Sequence, residues 1–294
     1  MLTRAFGTTG LQVSVLGFGA GQLGDPHLSD EAAGQLLNGV VDLGVTLIDT
    51  ARGYGSSEDR IGRHLKHRRQ EIIISTKVGY GIPGHNDWTH DCVRAGIDEA
   101  LRNLQTDYID IVHLHSCPCD TLKEGGVVIA LEAAKKAGKI RVAAYSGEND
   151  ALDWAVDSGR FGSVEHSLNI CDQHVIDGTL ARASGRGLGI IAKRPLANAP
   201  WRFTECPKGD YAEEYWWRWK TMNIDTCGLH WQAIALRFTA YTSGVSSCIV
   251  GTTQLNHVQE NIAHIESGPL NEDHRFLIRN AFRDNDPGWW VGQL

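Results

Sequence analysis

No stretch of the 294 residues is apolar over the roughly 18 residues that a membrane-spanning helix needs, and residues 1–7 lack the apolar core of a secretory signal. Clusters of lysine and arginine are also absent: 28 basic residues stand against 35 acidic ones, a formal net charge of −7. We therefore expect no binding to nucleic acid or to an anionic membrane surface, and we expect a cytoplasmic protein.

Proline is scarce, with 8 residues, and cysteine occurs 7 times, scattered along the chain. An odd number of widely spaced cysteines indicates reduced thiols and not a disulfide framework. Glycine is abundant, with 33 residues, which together with the low proline content indicates many tight loops. Hydrophobic residues make up 42% of the chain, enough for a large core, and no linker is visible. We therefore expect residues 1–294 to form a single domain.

Short β-branched or apolar runs predict eight strands, at residues 13–19, 45–49, 71–77, 108–115, 140–146, 163–165, 189–193 and 248–251. Amphipathic stretches predict the helices between them: after Ser29, after Ser56 or Ser57, from Thr89 to Leu104, and at 122–137, 150–158, 176–186, 227–242 and 255–265. This alternation implies parallel strands with right-handed crossovers. It favours an α/β fold, a (β/α)8 TIM barrel, although periodicity alone leaves an open doubly wound sheet as an alternative.

Residues 19–24 match the G-x-G-x-x-G pattern of dinucleotide-binding folds, and an acidic residue, Asp49, ends the next strand. In those folds the third glycine opens the helix whose N-terminus holds the pyrophosphate. Here residues 25–28 separate Gly24 from the helix cap at Ser29. We therefore interpret the match as a tight loop at the end of a strand.

Four chemically active side chains follow or end successive strands. Asp49 ends the second strand, Tyr54 lies in the loop after it, Lys77 ends the third and His115 ends the fourth. In a barrel these side chains converge on one rim. A lysine ammonium lowers the pKa of a neighbouring phenol, and a histidine can donate a hydrogen bond to a carbonyl oxygen. Each residue alone has a structural explanation, but the four together indicate proton transfer to a carbonyl.

With these residues in place, the chain resembles the aldo-keto reductases over nearly its whole length. The matching segments are LGFG at 16–19, GVTLIDTA at 44–51, YG at 54–55, STK at 75–77, LRNL at 101–104, DYID at 107–110, LH at 114–115, GKIR at 138–141, Asn169 and GT at 251–252. The resemblance implies a single barrel whose base is closed by an N-terminal hairpin, here at about residues 3–15.

The resemblance also implies an NAD(P)H-dependent enzyme that interconverts a small carbonyl compound, or a sugar, with its alcohol. Tyr54 would be the general acid and base, tuned by Lys77 and Asp49, and His115 would orient the carbonyl; no metal would be needed. The cofactor would lie across the rim against the following residues: Gly19, Ala20, Ser146, Glu165, Lys193, Arg194, Pro195, Leu196, Gly251, Thr252, Thr253, His257, Gln259, Glu260 and Asn261.

Four of these positions depart from the family pattern. Glu165 replaces a glutamine, so it can accept from a carboxamide NH2 group but cannot donate to the carboxamide oxygen. Lys193 replaces an aromatic residue that commonly stacks on nicotinamide, so a cation is expected beside the cofactor. His257 and Gly251 stand where a lysine and an arginine often grip a 2′-phosphate. The usual cofactor preference of the family implies NADPH ahead of NADH, with backbone amides as the hydrogen-bond donors to the 2′-phosphate.

Other readings of the sequence stay open. His113, His115, Cys117 and Cys119 form a candidate metal cluster, although His113 is more simply a buried, hydrogen-bonded residue. Aromatic residues crowd positions 201–219, where Trp201 favours a substrate site and Trp217 and Trp219 favour a packed helix or an oligomer interface. The chain is expected to be a monomer or a small homo-oligomer. Functional alternatives are a cofactor-binding regulatory or redox-sensing subunit on the same fold, and a barrel lyase with Lys77 as a Schiff-base nucleophile.

Overall fold

The computed structural model describes residues 1–293 and contains a closed barrel of eight parallel strands. The barrel strands are β3 (Leu16–Gly19), β4 (Leu47–Asp49), β5 (Ile73–Val78), β6 (Ile109–His115), β7 (Ile140–Ser146), β8 (Ser163–Ser167), β9 (Gly189–Lys193) and β10 (Ser247–Val250). Neighbours in sequence are neighbours in the barrel, and β10 pairs with β3 to close it. The predicted TIM barrel is confirmed and the open sheet is excluded.

An antiparallel hairpin precedes the barrel and consists of β1 (Thr3–Ala5) and β2 (Gln12–Ser14). Phe6, which follows β1, is completely buried and belongs to an apolar cluster with Leu47, Ile111 and Ile191 from the barrel interior. The aromatic ring thus fills the amino-terminal end of the barrel, where burial of an apolar side chain stabilises the fold. The hairpin closes the base, as predicted.

Helices cover the outside of the barrel in the part of the chain that the structure describes. They are α1 (Asp30–Asp42), α2 (Ser57–Leu65), α3 (His90–Asn103), α4 (Cys119–Glu124), α5 (Gly126–Lys136), α6 (Asn149–Asp157), α7 (Thr179–Gly185), α8 (Glu213–Met222), α9 (Trp231–Ala240), α10 (Leu255–Glu266) and α11 (Glu272–Asn285). The side chains of Ser29 and Thr89 cap α1 and α3 by accepting backbone hydrogen bonds from Ala32 and Cys92.

Three helix predictions need correction. The helix expected at 122–137 is two helices, because Gly125 has a φ of +84° and breaks the run between α4 and α5. The first part of the helix expected at 176–186 is a turn of 3-10 helix, and α7 begins only at Thr179. Helix α11 was not predicted; it packs on a second apolar cluster through Ile278 and Phe282.

None of the helices within residues 1–293 combines the length and the apolar character needed to cross a membrane. All seven cysteines are free thiols.

Candidate active site

The carboxyl ends of the barrel strands surround a cleft of about 550 Å³. Eleven residues of the predicted site line it: Gly19, Asp49, Tyr54, His115, Ser146, Glu165, Lys193, Arg194, Pro195, Leu196 and Gly251. Two others, Ala20 and Lys77, are buried beneath its surface. The barrel therefore brings together side chains from most of its strands, as the strand-end argument requires.

Lys77 is the centre of a buried cluster of charges. Its Nζ atom lies 2.5 Å from Asp49 Oδ2 and 3.4 Å from Glu165 Oε1, and it donates to the carbonyl oxygen of Thr50 at 3.0 Å. Lys77, Asp49 and Glu165 are each exposed by 2% or less. We call these three residues the inner cluster. Removing the ammonium of Lys77 would leave two buried carboxylates without a cation.

Strand register explains how the inner cluster forms. Asp49 of β4 pairs with Ser75 of β5, and side chains on a strand alternate between its two faces, so Ser75 and Lys77 point the same way into the barrel. Ser75 Oγ donates to Asp49 Oδ1 at 2.7 Å, which fixes the carboxylate beside the ammonium. Glu165 is brought in from β8 on the far side of the barrel.

Burial and the charges of the neighbouring side chains determine the pKa of each residue in the inner cluster. Burial lowers the pKa of Lys77, but Asp49 and Glu165 outweigh burial and hold it above its usual value. Burial and the negative charge of Glu165 raise the pKa of Asp49 to about 7 despite Lys77. Burial also raises the pKa of Glu165, but the charge of Lys77 outweighs it and keeps that pKa below its usual range. Lys77 is therefore a permanent cation and Glu165 a permanent anion near neutral pH.

Tyr54 is half-buried, and its ring lies over the inner cluster with its centroid 5.5 Å from Lys77 Nζ. Lys77 lowers the pKa of this phenol, but burial and the negative charges of Asp49 and Glu165 outweigh it, so the pKa lies above its ordinary value. The expected lowering is thus wrong in direction. Sequence reasoning counted the cation and one carboxylate, and it did not place the second carboxylate, Glu165, against Lys77.

His115 ends β6 and meets Tyr54 edge-on, with ring centroids 6.1 Å apart. Burial and the charge of Lys77 lower the pKa of His115 to about 3, so the ring is neutral. Its Nδ1 atom lies 2.8 Å from the hydroxyl of Tyr80, whose ring also stacks on it. Sequence reasoning missed Tyr80, although an aromatic residue three positions after a strand-end lysine was a usable signal.

Glu165 makes one further contact within the cleft and leaves one atom free. Ser146 Oγ donates to Glu165 Oε1 at 3.2 Å. Glu165 Oε2 is buried without a hydrogen-bond partner among the described residues, a costly arrangement unless a ligand supplies a donor. Its position in the wall of the cleft fits an amide NH2 group of a bound ligand.

Lys193 and Arg194 follow one another at the end of β9 but have different environments. Lys193 Nζ lies 3.1 Å from Glu148 Oε1, so its charge is paired. Arg194 has a left-handed backbone conformation, with φ of +56°. Its guanidinium donates to Ser167 Oγ at 3.1 Å and to the carbonyl oxygen of Gln293. The carboxyl-terminal residues therefore pack against this side of the cleft.

Residues 251–261, which we call the adenosine segment, follow β10 and include the start of α10. Gly251 lines the cleft, but six other predicted residues lie beyond its wall: Thr252, Thr253, His257, Gln259, Glu260 and Asn261. Thr252 Oγ1 lies 3.0 Å from His257 Nδ1, while Asn261 is buried against the barrel. No side chain caps the N-terminus of α10, and its first turn carries no acid.

His113 does not form a metal-binding group with His115, Cys117 and Cys119 in the described part of the chain. Within residues 1–293, one group of three potential ligands is close enough to share an ion, and it is Asp49, His113 and Glu165. The ammonium of Lys77 already lies against both carboxylates of that group. Burial lowers the pKa of His113 to about 4, and its Nε2 atom lies 3.1 Å from Ser75 Oγ. His113 is the buried, hydrogen-bonded residue that its simpler reading predicts.

The aromatic residues at 201–219 mostly pack on the protein. Trp201 stacks on Trp231 with centroids 5.9 Å apart, and Trp219 meets the same ring edge-on. The expectation for Trp201 is therefore wrong, because its ring completes an apolar cluster instead of lining the cleft. Arg202 and Tyr211 from the same segment line the cleft in its place.

Comparison with known proteins identifies the family. The model of the Aldo/keto reductase family matches residues 15–280. This chain belongs to that family. L-galactose dehydrogenase from Arabidopsis thaliana is 31% identical over 280 residues, covering 89% of this chain and 87% of that protein. A probable voltage-gated potassium channel subunit beta from Arabidopsis thaliana is 26% identical over 310 residues, covering 92% and 93%. The holo form of aldo-keto reductase AKR11C1 from Bacillus halodurans matches with a TM-score of 0.82 at 26% identity, covering 96% of both chains.

Membership of the Aldo/keto reductase family makes the chain an oxidoreductase of the class that reduces small carbonyl compounds with NAD(P)H. Two features of this structure fit that cofactor. The unpartnered Glu165 Oε2 can accept from a carboxamide NH2 group, and the uncapped amides of α10 can donate to an anion. Glu165 belongs to the inner cluster, and the uncapped amides belong to the adenosine segment.

Proposed function

We propose that this chain interconverts a small aldehyde, ketone or sugar with the corresponding alcohol, with Tyr54 as the general acid and base. The observation that carries the proposal is the buried contact of Lys77 with Asp49 directly beneath the ring of Tyr54. A fixed ammonium at this position stabilises the phenolate that forms when Tyr54 gives up its proton.

The chain's own residues supply the proton and the orientation of the substrate. A substrate oxygen in the cleft would accept from the hydroxyl of Tyr54, with a second hydrogen bond from His115. Because His115 is neutral, it can donate through Nε2 only when Nδ1 accepts, and the hydroxyl of Tyr80 is placed to donate to Nδ1. A nicotinamide cofactor held in the cleft would supply the hydride to the substrate carbon or take it up.

Protonation of Tyr54 matches the reducing direction at neutral pH. Since its pKa lies above the ordinary value of a tyrosine, the phenol carries its proton and is ready to act as an acid. Alcohol oxidation needs the phenolate instead. We therefore expect oxidation to accelerate as the pH rises and reduction to be insensitive to Tyr54 until strongly alkaline pH.

For the cofactor we propose NADPH ahead of NADH. Uncapped backbone amides at the start of α10, together with Thr252 and His257, offer hydrogen bonds to a 2′-phosphate. The first turn of α10 holds no acid that would repel it, in contrast to the first turns of α1, α2, α3 and α11. In the cleft we propose that Ser146 and Glu165 hold the carboxamide and that Lys193 and Arg194 lie near the phosphates.

The substrate class we propose includes sugars. The likeness to L-galactose dehydrogenase supports this, and the outer cleft offers Arg202, Asn198 and Tyr211, whose polar groups suit hydroxyl-rich ligands. We also propose that residues 1–294 act as one domain in the cytoplasm, where seven free thiols are stable, as a monomer or small homo-oligomer.

A regulatory subunit that binds the cofactor without rapid turnover is the second candidate. The likeness to a probable potassium channel subunit beta supports it. The lyase alternative has no such support: Lys77 is held as an ammonium by two carboxylates, and an ammonium cannot attack a carbonyl.

The direct test is Tyr54→Phe, which removes the acidic hydroxyl and keeps the ring. We expect kcat for carbonyl reduction to fall by about 10³-fold, within the range for loss of a general acid, while the Kd for NADPH stays within twofold. Reduction is followed by NADPH absorbance and binding by tryptophan fluorescence. Unchanged turnover in the variant would contradict the role of Tyr54. A wild-type chain that binds NADPH but turns over none of a carbonyl and sugar panel would support the regulatory subunit.

A further inference from the structure

Glu165 contributes a buried negative charge to the wall of the cleft. It is 1% exposed, and its Oε1 atom lies 3.4 Å from Lys77 Nζ and accepts from Ser146. Its Oε2 atom has no partner among residues 1–293. A glutamine at this place would have the same shape without the charge, so the charge itself calls for an explanation.

The charge of Glu165 is not cancelled by its neighbours. Among residues 1–293, Lys77 is the one cation in contact with it, and Asp49 shares that cation at 2.5 Å. When Asp49 is ionised the inner cluster has a net charge of −1, and when Asp49 is protonated its net charge is zero. In both cases Glu165 makes the cluster one unit more negative than a glutamine would.

The surrounding groups do not reverse this balance. Lys193, the next cation along the cleft wall, is paired with Glu148 at 3.1 Å. His113, which lies 3.8 Å from Glu165 Oε2, and His115 are both neutral because burial lowers their pKa values. Arg194 is directed at Ser167 and at the carboxyl-terminal backbone.

Nicotinamide differs in charge between its two states: the oxidised ring carries a positive charge that the reduced ring lacks. The ring must lie close to Tyr54, because the hydride and the proton go to the two atoms of one C–O bond. Tyr54 and Glu165 both face Lys77, so the ring and the carboxylate share one small, water-poor region. A buried anion there stabilises the cationic ring with little screening.

We propose that Glu165 makes this site bind the oxidised nicotinamide cofactor more tightly than the reduced one, and so favours oxidation of a hydroxyl substrate at alkaline pH, where Tyr54 is the phenolate. This inference rests on the function proposed above and specifies its direction. In that direction Tyr54 would first release its proton to solvent; the carbinol C–H bond would then break with transfer of hydride to a bound nicotinamide, and the hydroxyl proton would pass to the phenolate oxygen of Tyr54. The products are a carbonyl compound, the reduced cofactor and one proton.

Tighter binding lowers the concentration of oxidised cofactor that saturates the site. It does not change the equilibrium constant of the overall reaction, which no enzyme alters. The site would fill with oxidised cofactor at low concentration and release the reduced product readily. By linkage, a carboxylate that favours one state of the bound ring must shift the ratio of the two dissociation constants by the same factor.

The test is Glu165→Gln, with dissociation constants for NADP+ and NADPH measured by quenching of tryptophan fluorescence. We expect the ratio Kd(NADP+)/Kd(NADPH) to rise about tenfold, as expected for loss of one buried charge near the ring. The same ratio for NAD+ and NADH should move in the same direction. An unchanged ratio in a folded variant would overturn the inference.

Two further variants separate this effect from a general loss of buried charge. Glu58→Gln removes another buried carboxyl, which accepts from Thr76 and Asn103 and lies outside the cleft; its ratio should match the wild type. Lys193→Met removes a cation and leaves Glu148 unpaired, so the ratio should fall instead of rise. If Glu165→Gln does not fold, the absence of this opposite shift in Lys193→Met still overturns the inference.

Failure of the underlying function would look different. A wild-type chain that binds neither NADP+ nor NADPH, nor NAD+ and NADH, would contradict the proposed oxidoreductase. Binding of both states with no dependence on residues 165 and 193 would contradict only the role of Glu165.

Discussion

The inner cluster lies at the cleft, whereas the adenosine segment lies largely beyond the cleft wall, and the two are built in opposite ways. Asp49, Lys77 and Glu165 are buried titratable side chains from three different strands, and both carboxylates lie against the ammonium of Lys77. The adenosine segment offers backbone amides and uncharged side chains, such as Thr252 and His257, at the surface. We therefore expect the buried charges of the inner cluster to determine the chemical step, and the exposed groups of the adenosine segment to determine cofactor affinity.

This difference has an energetic reason. A buried charge cannot be screened, so a small change at the inner cluster alters both the fold and the pKa of Tyr54. At a helix N-terminus each amide contributes modestly and the dipole acts over one turn, so a substitution there changes affinity in small steps. The inner cluster and the adenosine segment should therefore respond very differently to mutation.

The largest effect is expected from Lys77→Met at the inner cluster. Loss of the ammonium leaves Asp49 and Glu165 buried together without a cation, and we expect the free energy of unfolding to fall by about 3–5 kcal/mol. Carbonyl reduction should be lost as well, because the phenolate of Tyr54 is no longer stabilised. Urea denaturation followed by circular dichroism measures the stability.

A double variant is the control for this prediction. Lys77→Met combined with Glu165→Gln removes one of the two stranded carboxylates and should recover part of the lost stability without restoring turnover. If Lys77→Met were as stable as the wild type, the inner cluster would not be the tightly coupled unit that its distances indicate.

A smaller effect is expected from Tyr80→Phe, which removes the hydroxyl that meets His115 Nδ1 at 2.8 Å. The neutral imidazole then loses the partner that fixes its tautomer, so we expect kcat to fall about tenfold with little change in KM. The control is Tyr241→Phe, which removes a similar hydroxyl bonded to the carbonyl of Ile265, away from the cleft. Equal kinetics in the two variants would show that Tyr80 does not position His115.

The sequence predicted the fold and the convergence of Asp49, Lys77 and His115 at the rim, and both predictions have a physical reason. A chain of alternating strands and helices can form few closed architectures, and in a barrel the carboxyl ends of the strands meet at one rim. Asp49, Lys77 and His115 end strands, so their convergence followed from topology alone. Tyr80 lies in a loop three residues after Lys77, which was a signal for a place near the rim, but the sequence did not specify that its hydroxyl would reach His115.

Errors arose where a contact between distant parts of the chain decides the outcome. The pKa of Tyr54 depends on Glu165, which is more than a hundred residues away in the sequence. The sequence pattern alone does not show that these two residues lie close together in space. Trp201 was assigned to the substrate site because of its place after β9, but Trp231 of a later helix provides a stacking partner. Packing between elements is what the sequence pattern does not encode.

The smallest effect is expected at the adenosine segment, from His257→Arg. The new guanidinium would add a charged donor beside the uncapped amides of α10, and we expect the ratio of kcat/KM for NADPH over NADH to rise about threefold to tenfold, with the kcat of each cofactor unchanged. The control is His264→Arg, which adds the same charge at the far end of the same helix and should leave the ratio unchanged. The gain should shrink at high ionic strength, because this surface is open to solvent. A change in kcat would contradict the proposed difference between the inner cluster and the adenosine segment, because it would mean that the adenosine segment affects the chemical step and not only cofactor affinity.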